Sequence, residues 1–441
     1  MLNTLPRPLD PGEAFFFMSD HVSCMNFVVF AERIGHLDPG RIQDALNLIQ
    51  QENLLLQAKI TWTEENGLCF EPAPDVLVDL QCHQSTPQTW QHLIEHELSR
   101  PFAGGAAPLM RCLYLEMPSP ARSVVGLCFH HSIADGRSGN ELLRRLLSLV
   151  NTATIATTSA KAAVLPSMAE LHPPHFRWRE QPDAAKQLRN TLLANYRRHG
   201  ALARIPWLAT DANGRTPRFI RQHFSAEVTR GLISQARAHQ TTVHGVLCAA
   251  QLLAQLALQP DREPGAFFLS CPVDMRAYLE PVQPVTPTGF LTSLISNTFL
   301  LDAQSDVWSL ARDITDQTRQ QIARGEGHLL YHMYGLDGSP VLPEYLAPFS
   351  KKVLASLPNT MVSNVGAIAT VTDDPAVDAM SFALCPMPYQ TLFTAASSYQ
   401  DRLILNVGFD AARLTPNDAQ VLVEEICTML LAAAKDASNP T

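Results

Sequence analysis

The sequence predicts an α/β (α+β) fold in two halves. Three observations carry this. Compact apolar runs of strand type alternate with segments whose apolar residues recur at helical spacing. The rhythm breaks once, between 151 and about 215, and then resumes. The length, 441 residues with 46% apolar, is ample for a large core and suggests two to three domains.

The elements follow in order. Residues 26–31 form an apolar strand-type run. Asp38 and Pro39 read as N-cap and first helical residue, and Ile42, Ala45, Leu46 and Ile49 follow on one helical face. Thr86 and Pro87 repeat that signal and open a helix to Ser99, before Pro101 and Gly104-Gly105. Cys112–Met117 and Val124–Phe129 are strands joined by a turn with Pro118, Ser119 and Pro120. The second is apolar on nearly every residue, as suits a strand covered on both faces. A helix from about Ser138 to Val150 carries the stripe Leu142, Leu143, Leu146, Leu147 and Val150. Past His172-Pro173-Pro174-His175, a basic helix is expected around Ala194–His199. These features divide the chain into an N-terminal lobe at 1–175, a linker at 176–215 and a C-terminal lobe at 216–441. In the second lobe, Ala226–Ala238 and Thr242–Leu258 read as helices. Phe267–Leu269, Leu294–Leu301, Thr360–Val371, Leu392–Ser398 and Leu403–Phe409 read as strands, and Pro281, Pro284 and Pro287 mark a loop. Thr415 and Pro416 open a last helix to about Ala433.

Composition excludes several classes. There is no low-complexity tract, no apolar run of the ~18 residues a membrane span needs, and no secretory pattern in MLNTLPRPLDPGE. The net charge of −9 disfavours a nucleic-acid partner. Nine cysteines without a C-x-x-C pair read as buried thiols, so the cytoplasm is the expected compartment.

One cluster carries chemistry: His130-His131-Ser132-Ile133-Ala134-Asp135-Gly136, between a strand end and a helix start. A strand exit offers a side chain to a cleft while its backbone stays fixed. A histidine near its ordinary pKa takes a proton from an alcohol or amine at neutral pH. Asp135 would brace the loop through a cationic partner, and Gly136 would let the chain turn sharply into the helix. A chance H-H-x-x-x-D-G in a chain this long is on the order of one in a thousand. The alternative is two histidines satisfied by loop hydrogen bonds.

The cluster resembles the HHxxxDG signature of the chloramphenicol-acetyltransferase-like superfamily. That group includes condensation domains of nonribosomal peptide synthetases, plant BAHD acyltransferases, wax-ester synthases and polyketide-associated acyltransferases. Other stretches are similar too: the entry from Glu13 through the helix at 38–51, Arg100-Pro101-Phe102, and Pro108-Leu109-Met110-Arg111. In the second half, Thr242–Leu247 resembles a helix at the lobe interface, Cys271-Pro272-Val273-Asp274-Met275-Arg276 a "PVDLR"-type segment, and Ser363-Asn364-Val365-Gly366 an "SNVG" strand. A plant-type DFGWG is missing, and His244-Gly245 stands where wax-ester synthases carry Asn-Asp. Stand-alone polyketide-associated acyltransferases and free-standing condensation enzymes are the nearest match, and the length fits one such unit.

The resemblance implies a V-shaped pair of lobes with a tunnel between them. His131, at its midpoint, would be the general base, deprotonating a hydroxyl or amine acceptor that attacks an acyl thioester on a carrier protein or coenzyme A. His130 and Gly136 would support the motif, and Asp135 would point away from the tunnel and pair with Arg276. Asn364, and with less reason Asn297, would position substrate or polarise the thioester carbonyl; ordinary sheet-end hydrogen bonding is the alternative. No bound cofactor or metal is implied. The expected product is an ester; an amide, or a non-catalytic binding module of the same fold, are the rivals.

Other patterns are weaker. His92-Leu93-Ile94-Glu95-His96 matches H-x-x-E-H but reads as helix surface. His172 and His175 read as a loop without function. Gly325, Gly327 and Gly335 lack the order of a nucleotide fingerprint. Ser363 has no visible base partner. Arg197, Arg198, Arg215, Arg218 and Arg221 read as solvated surface, with an acidic carrier or coenzyme A phosphates as the alternative.

Overall fold

The computed structural model describes residues 4–102, 105–152, 164–198, 208–209, 215–259, 264–286 and 288–435. In the first half these are Arg7–Pro8 (β1), Pro11–Ser19 (α1), Asn26–Ile34 (β2), Pro39–Glu52 (α2), Ala58–Thr63 (β3), Gly67–Pro72 (β4), Asp79–Gln84 (β5), Trp90–Ser99 (α3), Met110–Met117 (β6), Arg122–His130 (β7), Gly136–Asn151 (α4), Met168–Leu171 (α5) and Pro182–Arg198 (α6). The second half has Pro217–His223 (β8), Ala226–Ala238 (α7), Val243–Ala257 (α8), Gly265–Asp274 (β9), Thr292–Leu301 (β10), Val307–Ala323 (α9), Glu326–Met333 (α10), Leu346–Leu354 (α11), Asn359–Ala367 (β11), Val377–Leu384 (β12), Gln390–Tyr399 (β13), Arg402–Asp410 (β14) and Pro416–Lys435 (α12).

Two large sheets build two lobes. The first has strand order β12-β2-β7-β6-β5 and the second β10-β9-β11-β13-β14-β8; β1, β4 and β3 form a small third sheet. Period-2 alternation explains the burial of the first sheet. On one face Ile94 of α3 stands over Gly126 and Val28; on the other α4 packs against Phe27, Val29 and Phe129. A Cβ on Gly139 would come within 3.0–3.2 Å of those three side chains, so glycine sets how closely α4 approaches. β7 is therefore buried along nearly its whole length, as its apolar run predicts.

β12 crosses over. It leaves the second half of the chain and pairs antiparallel with β2, in register from Val377↔Arg33 to Leu384↔Phe27. Asn406 of β14 donates to the carbonyl of Phe382 at 2.8 Å, tying this strand back to the second sheet. The opposite edge strand, β8, is capped by side chains. Gln91 of α3 donates to the Phe219 carbonyl at 2.6 Å, and Glu95 accepts from the Phe219 N–H at 3.1 Å. These two contacts satisfy edge groups that would otherwise template a foreign strand.

Three expectations need correction. α3 begins at Trp90, because the Thr86 hydroxyl serves a turn, meeting the Thr89 hydroxyl and the Gln88 N–H. α8 lies among α7, α9 and α12 in the second lobe's core rather than at the lobe interface; its Gln251 donates to Thr360 and Met361 of β11. Arg221 is not a solvated residue: it is paired with Glu32 of β2 and lies over the rings of Phe30 and Trp90. Arg215 reaches Asp410 at 3.1 Å and Arg218 reaches Glu95 at 3.5 Å. Arg197 and Arg198 are exposed at the end of α6, and the remainder of that expected helix, His199, lies outside the described residues.

Arg221 joins the two sheets, and its loss strands Glu32 in a partly buried place. Arg221→Ala is expected to cost about 3 kcal/mol in denaturant unfolding. Glu32→Gln should cost less, and the double variant should show coupling between the two positions.

Candidate active site

The site begins where β7 ends. His130 takes the last ladder position, its N–H bonded to the Leu109 carbonyl, and the chain then turns through Ile133 N–H to His130 carbonyl at 3.2 Å. Successive side chains diverge at this point. The His131 ring faces a cavity of about 390 Å³ between the lobes, and the His130 ring a small one of about 110 Å³ on the other side.

Each imidazole has its tautomer set by a backbone partner. Nδ1 of His131 lies 3.0 Å from the Ala134 carbonyl, which can only accept, so the proton sits on Nδ1 and Nε2 keeps its lone pair. Nδ1 of His130 accepts the Ser132 N–H at 3.2 Å, which places its proton on Nε2, 4.0 Å from Asp20. Phe16, Phe27 and Phe290 surround His131, with ring centroids 4.2, 4.6 and 5.5 Å away. Burial in this aromatic cage lowers its pKa to about 4, against the opposing pull of the Ala134 carbonyl and Asp135. Burial, with cationic neighbours adding to it, lowers His130 to about 3.

Asp135 caps α4 and joins the lobes with one carboxylate. Oδ1 accepts the N–H groups of Arg137 and Ser138 at 3.1 and 3.0 Å; Oδ2 accepts Arg276 at 2.8 Å and the Leu291 N–H at 3.0 Å. Burial pushes this carboxyl up, but the Arg276 guanidinium and the amides outweigh it and hold it below its usual value. Arg276 is itself buried and also donates to Asp274 at 2.9 Å and the Ser138 hydroxyl at 2.9 Å. The expected brace is thus in place. Gly136 acts differently from expectation. It is an ordinary first-turn helical residue, outside the positive-φ glycines. A Cβ here would come tight against Val365 Cγ1 of the second lobe, at 3.0 Å.

Of the two asparagines, only Asn364 joins His131 on the cavity wall. Its Oδ1 accepts the Gly366 N–H at 2.9 Å, leaving the amide nitrogen as its remaining donor. Asn297 is not part of the site; it donates to Gln321 of α9 at 2.6 Å. Sequence reasoning missed the aromatic walls. Phe16 sits on α1, whose signal is legible in retrospect: Asp10 caps the Gly12 N–H, Pro11 follows, and Glu13 accepts the Asp10 N–H in a capping box. Phe290 is held by a bridge between Gly289 and Ala134, a long-range pairing with no local signal.

The remaining patterns resolve into structure. Glu95 of the H-x-x-E-H segment is buried and accepts from Phe219, while His92 and His96 are largely exposed on α3. His172 lies at the C-terminal end of α5. It is buried edge-on against His328, centroids 4.3 Å apart, and burial lowers the two to about 4 and about 3. All nine cysteines are free. Among the described residues one group of three can supply metal ligands, His244, Cys248 and Cys271, and none of them lines the His131 cavity. No described helix is long and apolar enough to cross a membrane.

Residues 213–405 match the family model for the phthiocerol/phthiodiolone dimycocerosyl transferase C-terminus. Among curated proteins none matches by sequence. Among solved structures, polyketide synthase associated protein 5 from Mycobacterium tuberculosis is 17% identical with a TM-score of 0.66, covering 98% of each chain. Trichothecene 15-O-acetyltransferase from Fusarium sporotrichioides is 16% identical with a TM-score of 0.69, over 97% of this chain and 95% of that one. The first condensation domain of the CDA synthetase is 14% identical with a TM-score of 0.74, over 99% and 98%. The chain therefore has the two-lobed fold of these acyltransferase and condensation structures, the fold that the HHxxxDG resemblance implies.

The Asp135–Arg276 pair yields a prediction about stability. Asp135→Ala or Arg276→Ala leaves a buried charge unpaired and is expected to cost roughly 3–5 kcal/mol. Urea unfolding of the purified variants checks this, and a normal midpoint for Asp135→Ala would contradict it.

Proposed function

We propose that the protein is an acyltransferase that moves an acyl group from a carrier-protein or coenzyme A thioester to a hydroxyl acceptor, with His131 as general base. One observation carries the reading: a neutral imidazole, Nδ1 fixed on a backbone carbonyl and Nε2 unused, faces an apolar cavity between two lobes. The similarity of the fold to an O-acetyltransferase and the match to a dimycocerosyl transferase segment support transfer to oxygen in polyketide, peptide or lipid biosynthesis.

The chemistry follows from the geometry. The acceptor O–H gives its proton to Nε2 as its oxygen attacks the thioester carbonyl carbon. The resulting imidazolium stays held by Ala134 and feels the Asp135 charge. The C–S bond then breaks and the sulfur leaves with the proton from Nε2. The amide nitrogen of Asn364, on the same cavity wall, would donate to the developing oxyanion. Phe16, Phe27 and Phe290 keep water from competing as acceptor. Holding both substrates in one cavity supplies proximity. No bound cofactor enters this sequence. An amide product from an amine acceptor uses the same steps and is an outcome of the test.

Two predictions follow from this scheme. His131→Ala should fold normally and slow transfer by roughly 10²–10⁴. Intact-mass measurement of acyl-loaded carrier and of acyl-CoA, with alcohol and amine panels, reads this directly. An amide product would identify a condensation enzyme. Carrier or acyl binding without turnover across the panel would identify a binding module. The second prediction concerns pH. Because burial lowers His131 to about 4, the base form persists far below the ordinary histidine value. The acid limb of kcat/KM should therefore fall near pH 4; a limb near 6.5 would mean a solvated base.

A further inference from the structure

Outside the His131 cavity, the first two turns of α8 bring His244 and Cys248 onto one helical face, four residues apart. Cys271 of β9 points at them from the sheet. The three ligand atoms lie within 4.8 Å of one another. Cys248 Sγ is 3.7 Å from Cys271 Sγ and 3.6 Å from His244 Nε2. Around a tetrahedral zinc ion, Zn–S bonds of about 2.3 Å and Zn–N bonds of about 2.0–2.1 Å set S···S near ~3.8 Å and N···S near ~3.5 Å. Both observed separations fit those edges. They do not fit a disulfide, whose sulfurs stand about 2.05 Å apart.

We propose that His244, Cys248 and Cys271 form a binding site for a thiophilic divalent cation of the zinc type, pinning α8 to β9.

A second observation points the same way. His244 Nδ1 is buried and has no hydrogen-bond partner among the described residues, while Nε2 faces only thiol sulfur. Nε2 of this imidazole has only a weak thiol partner, which a metal bond there would replace, with the ring proton carried on Nδ1. Charge also balances. Each thiol releases one proton to solvent on binding, and two thiolates with a neutral imidazole make the loaded site electrically neutral in a buried place. The half-buried side chain of His244 gives the ion its approach. The strand so pinned runs directly into Asp274 and Arg276, so the ion would stiffen the segment that carries the Asp135 partner.

The test uses the full chain. Protein isolated from zinc-replete cells should carry one Zn²⁺ per chain by elemental analysis. After chelation, Co²⁺ should restore a thiolate-to-cobalt charge-transfer band and the visible bands of a tetrahedral site. His244→Ala, Cys248→Ser and Cys271→Ser should each weaken binding by more than the roughly 10–100-fold that loss of an outer partner costs. Cys82→Ser, at an exposed thiol, should leave it unchanged. Should a variant misfold, alkylation of the wild type decides: Zn²⁺ must protect Cys248 and Cys271 from iodoacetamide. Absence of bound metal, a cobalt spectrum without charge transfer, equal binding in all variants, unprotected thiols, or a Cys248–Cys271 disulfide in the isolated protein would each overturn the proposal.

Discussion

The carboxylate of Asp135 is the constraint from which the site is built. It lies one turn past His131 and accepts four hydrogen bonds, two from the first turn of α4 and two from the segment 276–291 of the other lobe. A cap alone contributes about 1 kcal/mol, and a charged group buried this deeply would be costly without its partners. The strand end, the helix start and the lobe joint are thus satisfied by the same two oxygens. The joint extends along the chain. The Gly289 N–H donates to the Ile133 carbonyl at 2.7 Å, and the Ser138 hydroxyl donates to the Gly289 carbonyl at 3.1 Å. Phe290, between the anchored Gly289 and Leu291, is thereby delivered to the His131 ring. The interaction that closes the lobes also builds one wall around the proposed base.

The adjacent histidines show how a turn divides labour. His130 completes the ladder of β7 and is then sealed in, its Nδ1 spent on the Ser132 amide. His131 spends its Nδ1 on Ala134 and keeps Nε2 toward the cavity. Both rings are made neutral by burial, yet only one presents its lone pair to a space large enough for substrate. Role is set by which side of the strand end each ring leaves from, and sequence adjacency guarantees that the sides differ.

Much of this was readable from residues, and the failures have physical causes. β7, α4, α7 and α12 follow from apolar runs and caps that act within a few residues. The family resemblance of the HHxxxDG and "PVDLR"-type segments pointed to His131 and to the Asp135–Arg276 pair, which the structure joins across 141 positions. What stayed hidden depends on distant chain. β12 is missing from the sequence reading, and its pairing with β2 assigns it to the first sheet. The H-x-x-E-H segment reads as helix surface, and only Phe219, beside Gln91 and Glu95, shows that Glu95 is buried. Asn297 and Asn364 are indistinguishable as strand asparagines; the sheet's register, with β10 packed on α9, removes the first from the cavity. Gly136 reads as a sharp turn, yet it is an ordinary helical residue whose tight neighbour, Val365, lies across the lobe joint.

The aromatic cage raises a question of base strength. Lowering an imidazole from 6.5 to about 4 disfavours the imidazolium by roughly 3 kcal/mol in the empty cavity. On the proposed route, however, the imidazolium never stands alone. It forms as the carbonyl oxygen becomes an anion a few ångströms away, and two opposite charges at about 4 Å attract several times more strongly near low-dielectric walls than in water. The same burial that penalises a proton on His131 in the resting protein therefore strengthens the charge pair of the transition state. Asp135 adds a fixed negative charge on the ring's Nδ1 side, tempered by Arg276 so that it biases the imidazole without taking its proton. A dry, aromatic setting and a carboxylate committed elsewhere are then not in conflict with base catalysis; together they confine the ring's positive charge to the moment at which an anion is present to meet it.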